Sequence, residues 1–529
     1  MDFEPPLRQA LLRVYRVFAG PSVESRYRLT RVVLLRSLGA LYFVAFAVAV
    51  VQLVPLIGSV GLTPVEPYLD AIADFQRSRS NVAWKLPSVF WLDHSDATLQ
   101  GVAWAGLVLS GLVVLGVENA VVMLLLWALY MSITNVGQRW YAFGWEMQLL
   151  ETGFIAVLWC PWLRLRARPD EGNSRVPLWC YRWLIFRVML GAGLIKLRGD
   201  PCWTELSCLD YHFETQPIPG PLSPYFHALP GGLRAAGVAF NHLAELFVPL
   251  FVFGPRRARH LAGAAIIAFQ LTLILSGNLA FLNWLTIIPA IACFDDQLLR
   301  RLLPPRWRAR FGDGPEPPPR PGIRWLAYAY AALVVWLSLP VVANLISERQ
   351  AMNRSFDRLG LVNTYGAFGG VGDARLELII EGSASEDPQD PSASWRAYEF
   401  ECKPGEPTRR PCWITPYHQR LDWLAWFAAL EVQYSGRISR EDWLFNLVYK
   451  LLHHDRVARE LLDESRDPFP DAPPRWIRVE VFRYRMAAPG GEAVWEREWV
   501  GELMPPIAAD DPLLREHLRG RGWLPAIEQ

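Results

Sequence analysis

Long runs of apolar residues alternate with short arginine-rich segments along the first 346 residues. Most runs approach the ~20 residues that a helix needs to cross ~30 Å of hydrocarbon. The pattern predicts membrane spans at Leu38–Gly61, Ala97–Val117, Asn119–Gln138, Trp145–Leu163, Val176–Lys196, Ala235–Phe253, Leu261–Phe294 (two spans separated at Ser276–Asn278) and Trp325–Ile346. We predict an α-helical polytopic membrane bundle of eight or nine helices over residues 1–346. The fourth segment is a span or a re-entrant helix, because Glu146 and Glu151 lie in its first half.

The arginines indicate an orientation. With a cytoplasmic N-terminus, nine crossings place the arginine-dense loops Arg164–Arg175, Arg256–Arg259 and Arg300–Arg310 inside, as the positive-inside rule requires. Residues 347–529 then lie outside the cytoplasm. The arginine- and alanine-rich composition suggests a bacterium, and hence its inner membrane, with the C-terminal domain in the periplasm.

The C-terminal part, 347–529, has the patterns of a soluble domain. Alternation of apolar and polar residues predicts strands at Arg375–Glu381, Trp395–Cys402 and Arg475–Arg485. Helical periodicity covers Asp422–Val432 and Glu441–Leu462. We predict an α+β, β-rich domain with a mostly antiparallel sheet, and we interpret the glycine-rich stretch 365–372 as a flexible turn.

Composition narrows the possible partners. The chain is 52% hydrophobic and contains 24 Trp, which suits membrane interfaces, so membrane lipid is an expected partner. The net charge of +1 gives no indication of a nucleic-acid partner.

Cysteine positions agree with an oxidising compartment outside the membrane. Cys202 and Cys208 share one predicted outside loop, and Cys402 and Cys412 share the outside domain, so each pair is a disulfide candidate. We expect the other three cysteines, at 160, 180 and 293, to be buried thiols. No cysteine pair has zinc-ligand spacing with nearby histidines, and we predict no metal and no cofactor.

Charged residues within the predicted spans are the first candidates for chemistry. Lys196 ends the fifth span, and His212 follows in the next loop; together they are candidate catalytic residues, a base and a proton carrier. The alternatives are a lysine that reaches the membrane interface and a histidine bonded to backbone. Glu146, Glu151 and Glu245 line a polar cavity or, as we favour, form ion pairs between helices.

One predicted span carries three polar residues on one face. Asn241 and His242 precede Glu245 by four and three residues, a spacing that brings them together on a helix. This set forms a metal site or, as we favour, a hydrogen-bonded contact between helices.

The stretch around residue 420 supplies candidate client-binding residues. Tyr417, His418, Arg420 and Trp423 combine polar and aromatic groups, but no G-x-S-x-G motif accompanies them, so the chain does not look like a lipase. Trp423 and Trp426 are three residues apart on one helix face, a spacing that is also typical of a buried core.

Five stretches carry a family resemblance. Residues 136–162, RWLIFRVMLGAGLIKLRGDPCW (182–203), 209–227, LVNTYGAFGGVG (361–372) and PYHQRLDWLAWFAAL (416–430) resemble the lipase maturation factor family. The resemblance implies a multi-span membrane protein that helps secreted homodimeric lipases reach their active form. The studied animal members act in the endoplasmic reticulum, and their C-terminal domain faces the lumen and is implicated in contacting the lipase.

A shorter stretch carries a second resemblance. AGLIKLRGDPCW (192–203) is similar to a lysine-bearing helix end in the vitamin K-dependent γ-glutamyl carboxylases, although its Asp-Pro-Cys-Trp departs from that pattern. The resemblance implies that Lys196 stands where those enzymes place the base that acts on the reduced quinone.

Two functions therefore compete. The first is a non-enzymatic, chaperone-like maturation factor for secreted or envelope proteins, above all lipases; the second is an integral membrane enzyme that uses Lys196 as a base. Transport is a poorer third, because no inverted repeat is evident. Convergence of Lys196, His212 and the intramembrane acids on one accessible pocket would favour the enzyme, and dispersed ion pairs would favour the maturation factor.

Overall fold

The computed structural model describes residues 26–75, 79–167, 174–305 and 321–525, together with residues 172, 318 and 319. Its first part is helical. The helices are α1 (Arg28–Ile57), α2 (Val65–Phe75), α3 (Arg79–Lys85), α4 (Asp96–Val114), α5 (Ala120–Val136), α6 (Gly144–Val157), α7 (Val176–Arg198), α8 (Pro201–Thr204), α9 (Leu209–Thr215), α10 (Ser223–His227), α11 (Gly231–His242), α12 (Arg256–Ser276), α13 (Leu282–Ala290), α14 (Asp296–Leu302) and α15 (Pro321–Ile346). Helix α11 continues as a π-helical turn, Leu243–Phe247, and a 3-10 turn, Val248–Phe253.

Six helices in the described ranges are long and apolar enough to cross a membrane: α1, α4, α7, α11 with its continuation to Phe253, α12 and α15. The predicted count of eight or nine is not confirmed. Helices α5 and α13 are apolar but shorter. Helix α6, predicted as the fourth span, has 14 residues, a rise of ~21 Å that falls short of the hydrocarbon thickness.

Local capping explains where several of these helices begin. The Ser95 side chain accepts a hydrogen bond from the Thr98 amide at the start of α4, and the Asn119 side chain caps the first amides of α5. The predicted break at Ser276–Asn278 does end α12. In the short connection to α13, the Asn278 side chain donates to the Cys412 carbonyl oxygen, at 2.9 Å, and accepts from the amides of Ile414 and Thr415.

The C-terminal part contains one four-stranded antiparallel sheet in the order β2-β1-β3-β4. Its strands are β1 (Arg375–Ser383), β2 (Arg396–Ala397), β3 (Trp476–Met486) and β4 (Trp495–Ile507), and its helices are α16 (Arg420–Ser435), α17 (Trp443–Leu452), α18 (Arg456–Arg459) and α19 (Pro512–Gly520). This confirms a small, mostly antiparallel sheet with helices. The boundary between residues 346 and 347 stays a prediction.

Two predicted elements differ from the structure, and one strand was not predicted. The strand predicted at Trp395–Cys402 is reduced to β2, because the Cys402 amide bonds the Asp422 carboxylate, at 2.7 Å, instead of a neighbouring strand. The helix predicted at Glu441–Leu462 is split into α17 and α18, because His454 adopts a positive φ of 54° and Asp455 caps a new helix. Strand β4 was not predicted, since most of its residues are exposed and do not alternate.

The two parts share one hydrophobic core. A continuous cluster of buried apolar residues includes Leu34 of α1, Trp145 of α6, Trp423 of α16 and Val479 of β3. The C-terminal part is therefore packed onto the helical bundle.

Candidate functional site

Lys196 lies near the C-terminal end of α7 and is only 4% exposed. Its Nζ donates hydrogen bonds to Asn241 Oδ1, at 2.8 Å, and to both carboxylate oxygens of Glu245, at 2.7 and 2.8 Å. The ammonium also lies 4.8 Å from the ring centre of Trp203. Buried charge is tolerated when it is paired and hydrogen-bonded, and here all three ammonium protons have acceptors.

The backbone of α11 brings Glu245 to this lysine. Glu245 lies in the π-helical turn Leu243–Phe247, a distortion of the kind that is frequent at functional sites. Gly193 of α7 makes the approach possible, because a Cβ there would lie 2.6 Å from Leu246 Cδ2 and 3.0 Å from Glu245 Cβ. The sequence gives no signal for this π turn.

His242 points away from the acid. Its Nε2 lies 2.9 Å from the Trp203 carbonyl oxygen, while Asn241 donates to Glu245 at 3.1 Å. Asn241 and Glu245 thus form the hydrogen-bonded helix contact that we favoured over a metal site.

A cavity of about 360 Å³ adjoins this ion pair. It lies between α7, α11, α12 and α13, and Lys196, Asn241, Glu245 and His212 all line it. The His212 ring packs edge-on against Phe368, with ring centres 5.0 Å apart. Burial, with a smaller contribution from the Lys196 charge, lowers the pKa of His212 to about 4, so this histidine is neutral at pH 7.

A second cavity, of about 320 Å³, lies next to the first. Phe143, Trp145, Trp423, Trp426 and Phe427 line it, and it shares Val188, Ala192, Leu282, Ala367 and Phe368 with the first cavity. Phe368 has a φ of 53°, a conformation that non-glycine residues rarely adopt and that clusters at functional sites. Its carbonyl oxygen accepts a hydrogen bond from the Trp203 indole at 2.9 Å.

Residues 361–372, which we call the inserted segment, lie against α7 and do not form the free turn that the glycines suggested. Tyr365 and Asn363 both donate hydrogen bonds to the Glu151 carboxylate, at 2.8 and 3.1 Å. Arg187 pairs with the same carboxylate and donates to the Asn363 carbonyl oxygen at 2.6 Å. The segment therefore supplies partners for a buried charge pair of the bundle, which local sequence patterns cannot show.

Two glycines let this segment approach the helix. A Cβ at Gly191 would lie 2.4 Å from the Tyr365 carbonyl oxygen, and one at Gly199 would lie 2.1 Å from the Gly369 carbonyl oxygen. Both obstacles are backbone atoms, which cannot rotate away.

The intramembrane acids do not all converge on the cavity. Glu245 lines it, but Glu151 pairs with Arg187 and Glu146 pairs with Arg420. Arg182 donates instead to the Ala292 carbonyl oxygen at 3.0 Å. The ion pairing between elements that we favoured for Glu146 and Glu151 is present in the structure.

The four candidate client-binding residues lie where the C-terminal part meets the bundle. Arg420 Nη1 lies 2.9 Å from Glu146 Oε1. Gln52 of α1 donates to the Tyr417 hydroxyl, at 3.1 Å, and to the His418 carbonyl oxygen, at 2.9 Å. Trp423 packs against Trp145. Three of these side chains are buried and Tyr417 is half-buried, so a direct contact with a client stays a prediction.

Burial also perturbs two groups of this interface. It holds the pKa of His418 well below its ordinary value, helped by the nearby Arg420 charge. It raises the pKa of Asp422 to about 6, although the carboxylate accepts hydrogen bonds from the amides of Cys402 and Lys403.

Both cysteine pairs are bonded as their spacing suggested. Cys202 is joined to Cys208 and Cys402 to Cys412. Cys160, Cys180 and Cys293 are buried free thiols. The first disulfide closes the loop that carries Trp203, the ring that covers Lys196.

Comparison with known proteins identifies the family of this chain. The model of the lipase maturation factor transmembrane domain matches residues 29–301, and that of the lipase maturation factor C-terminal domain matches residues 361–505. The chain belongs to the lipase maturation factor family. No solved structure matches it.

Several members of this family are similar over almost the whole chain. Lipase maturation factor 1 of Bos taurus is 45% identical over 533 residues, which cover 94% of this chain and 91% of the relative. Lipase maturation factor 1 of Homo sapiens is 45% identical over 522 residues, covering 94% and 90%. Lipase maturation factor 2 of Homo sapiens is 29% identical over 620 residues, covering 94% and 85%.

These relatives bear on two of the predictions. Together with the six apolar helices, the match to the family's transmembrane domain shows a multi-pass membrane protein. The relatives named here are mammalian, so they give no support to a bacterial source or a bacterial inner membrane.

Proposed function

We propose that this chain is a membrane-anchored maturation factor whose client is a secreted lipase. The observation that carries the proposal is the 45% identity, over 94% of this chain, to proteins named lipase maturation factor 1. The helical part anchors the protein, and the C-terminal part contacts the lipase while it folds.

The comparisons do not favour the alternative of a membrane enzyme that uses Lys196 as a base. Lys196, His212 and Glu245 do line one cavity. Glu146 and Glu151 form ion pairs elsewhere, however, and Asn241 and Glu245 occupy the Lys196 ammonium protons, which favours a structural role for this lysine. In our proposal Lys196 holds α7 against α11, and catalytic roles for Lys196 and His212 are secondary candidates.

The client surface that we propose is the outer part of strand β4. This strand forms one edge of the sheet, and Trp499 and Val500 on it are exposed, Trp499 by 58%. Exposed apolar residues on a sheet edge are a common site of contact with another chain. The buried residues Arg420 and Trp423 would position this surface on the bundle.

We also propose that the N-terminus is cytoplasmic and that the C-terminal part lies on the opposite, oxidising side of the membrane. The arginine-dense loops support this orientation. The two disulfides support it as well, because disulfides persist in oxidising compartments.

The test is lipase maturation by the full chain in cells that lack their own maturation factor. A secreted homodimeric lipase is co-expressed, and its secreted activity is measured per unit of lipase antigen. We expect the W499S/V500S variant to lose most of this activity at normal membrane abundance. The control is Leu513→Ser on α19, which changes a 76% exposed apolar residue elsewhere on the same part.

Two results would overturn the proposal. If the unaltered chain leaves lipase activity at the level of cells without it, the chain is not a maturation factor. If W499S/V500S acts as well as Leu513→Ser, β4 is not the client surface. Truncation after Ile346 is a poorer test, because it also removes Tyr365 and Arg420, which bond the bundle acids Glu151 and Glu146.

A further inference from the structure

The lining of the cavity beside Lys196 extends along the helix axes. On α11 and its continuation the lining residues run from Leu233 to Glu245, and twelve residues of helix rise ~18 Å. On α7 they run from Val188 to Lys196. Its volume of about 360 Å³ lies in the range of ligand sites, and its length suits an extended chain better than a compact molecule.

The cavity opens between two membrane-spanning helices. Leu233 and Phe240 of α11 and Thr272 of α12 line it and are exposed at its mouth. The outer faces of the same two helices carry exposed apolar residues, among them Leu243, Leu271 and Leu275. Since a membrane helix presents such a face to lipid, the medium at the mouth is hydrocarbon.

Polar side chains of the inner wall have hydrogen-bonding partners within the protein. Asn283 donates to Gln270 at 2.8 Å, and the Thr286 hydroxyl donates to the Leu282 carbonyl oxygen at 2.9 Å. Lys196 is satisfied by Asn241 and Glu245, as described above. Such a wall offers few hydrogen-bonding sites to a group of waters, whereas apolar cavities bind apolar ligands.

His212 is the exception in this wall. Its ring is buried and packs against Phe368 and Phe213, and among the described residues it has no hydrogen-bonding partner. A neutral imidazole offers one donor and one acceptor, and the His212 ring lines the cavity, where a bound ligand can use them. A ligand that carries a carbonyl or carboxyl oxygen at this end would satisfy the donor.

We propose that this cavity binds one long acyl chain, which enters from the bilayer between α11 and α12 and places its carboxyl or ester oxygen beside the His212 ring. The chain lies along Val188, Ala192 and Phe269, in contact with apolar side chains. A free fatty acid and one chain of a phospholipid share this chemistry. The proposal does not depend on the lipase client.

The test is photolabelling of the purified full-length protein in nanodiscs of unlabelled phosphatidylcholine. One arm uses palmitic acid with a diazirine on the chain, and the other uses phosphatidylcholine that carries the same photoactivatable chain. Labelled peptides are mapped by mass spectrometry. We expect labels on α7 and α12 residues that line the cavity.

The decisive variants alter the cavity from two sides. Thr272→Trp places an indole at the mouth, and because Thr272 is exposed the variant keeps its core. Ala192→Phe fills the middle of the cavity. We expect each to lower cavity labelling about tenfold, equivalent to ~1.4 kcal/mol of binding free energy. Leu275→Trp is the matched control, since Leu275 is an exposed residue one turn further on α12 that does not line the cavity.

His212→Phe tests the position of the polar end, and we expect it to weaken labelling of the cavity while leaving labelling of the outer helix faces unchanged. Labelling by the fatty acid alone would identify a free carboxyl group as the ligand, and labelling by the phospholipid would identify a bilayer lipid; both support the proposal. Equal labelling of Thr272→Trp and Leu275→Trp, or labels confined to outer faces, would overturn it. No lipase is present, so failure here is distinct from failure of the proposed function.

Discussion

Arg420 of α16 forms a buried ion pair with Glu146 of α6, with 2.9 Å between Nη1 and Oε1. The same guanidinium also donates to the Trp140 carbonyl oxygen, and Tyr130 donates to the other oxygen of Glu146. Glu146, an acidic residue in a predicted span, thus binds the C-terminal part to the helical bundle.

Removing the arginine side chain is therefore expected to loosen the C-terminal part. Arg420→Ala leaves the Glu146 carboxylate buried without its cation, a loss that costs ~3–5 kcal/mol for buried pairs. We expect lower abundance and faster proteolytic release of the C-terminal part, measured by limited proteolysis in detergent. Arg437→Ala, at an exposed arginine after α16, is the control. Equal proteolysis of the two variants would contradict an anchoring role.

A paired substitution separates a structural role of Lys196 from a catalytic one. Lys196→Met alone leaves Glu245 unpaired and should cost ~3–5 kcal/mol, seen as lost membrane abundance. The double variant K196M/E245L replaces the pair by apolar groups and is expected to regain abundance. We expect lipase activity per antigen to return with it. If membrane abundance returns but lipase activity does not, the result would instead indicate that Lys196 acts as a base.

The contact between α7 and the inserted segment depends on Gly191. Gly191→Ala places a Cβ against the Tyr365 carbonyl oxygen, which is backbone, and should destabilise the protein by ~1–3 kcal/mol. Gly101→Ala on α4 is the matched control, because no atom lies within 4 Å of its added Cβ, and alanine favours a helix by up to ~1 kcal/mol. Thermal unfolding in detergent should shift in opposite directions for the two variants.

The neutral His212 predicts a loss of stability in acid. Its pKa in the folded protein is about 4, below the ordinary value of 6.5. Between pH 4 and pH 6.5 the unfolded chain therefore binds a proton at this histidine more readily than the folded chain does. The contribution of neutral His212 to the free energy of unfolding is therefore complete above pH 6.5 and is lost as the pH drops toward 4. The loss between pH 7 and pH 5 is ~2 kcal/mol. His212→Gln should remove this part of the pH dependence. If His212→Gln shows the same difference in unfolding midpoint between pH 7 and pH 5 as the unaltered chain, this prediction is contradicted.

The disulfides provide a test of orientation. After mild reduction of sealed vesicles whose outer side is cytoplasmic, a membrane-impermeant maleimide should leave Cys402 and Cys412 unlabelled until detergent is added. Loss of the Cys402–Cys412 bond, which spans ten residues, should cost roughly 3 kcal/mol by chain-entropy arguments. Labelling before detergent would place the C-terminal part on the cytoplasmic side.

Local patterns were informative wherever one segment carries its own signal. Apolar runs indicated α1, α4, α7, α12 and α15, because each helix satisfies its own backbone hydrogen bonds and needs only length and composition to be recognised. Alternation indicated β1 and β3 for the same reason. Prediction failed where a residue distant in the sequence decides the conformation. In Trp395–Cys402, for example, the Cys402 amide donates to the Asp422 carboxylate and not to a neighbouring strand.

The sequence by itself determined the membrane character, the family and the cysteine pairs, since these follow from composition, motif and short spacing. Only the tertiary structure decided which buried charged residue bonds to which partner. Glu151 is separated from Asn363 by 212 residues and Glu146 from Arg420 by 274, and no periodicity encodes such distances. The cavity beside Lys196 is likewise a product of packing, because helices α7 to α13 and the inserted segment must meet before it exists.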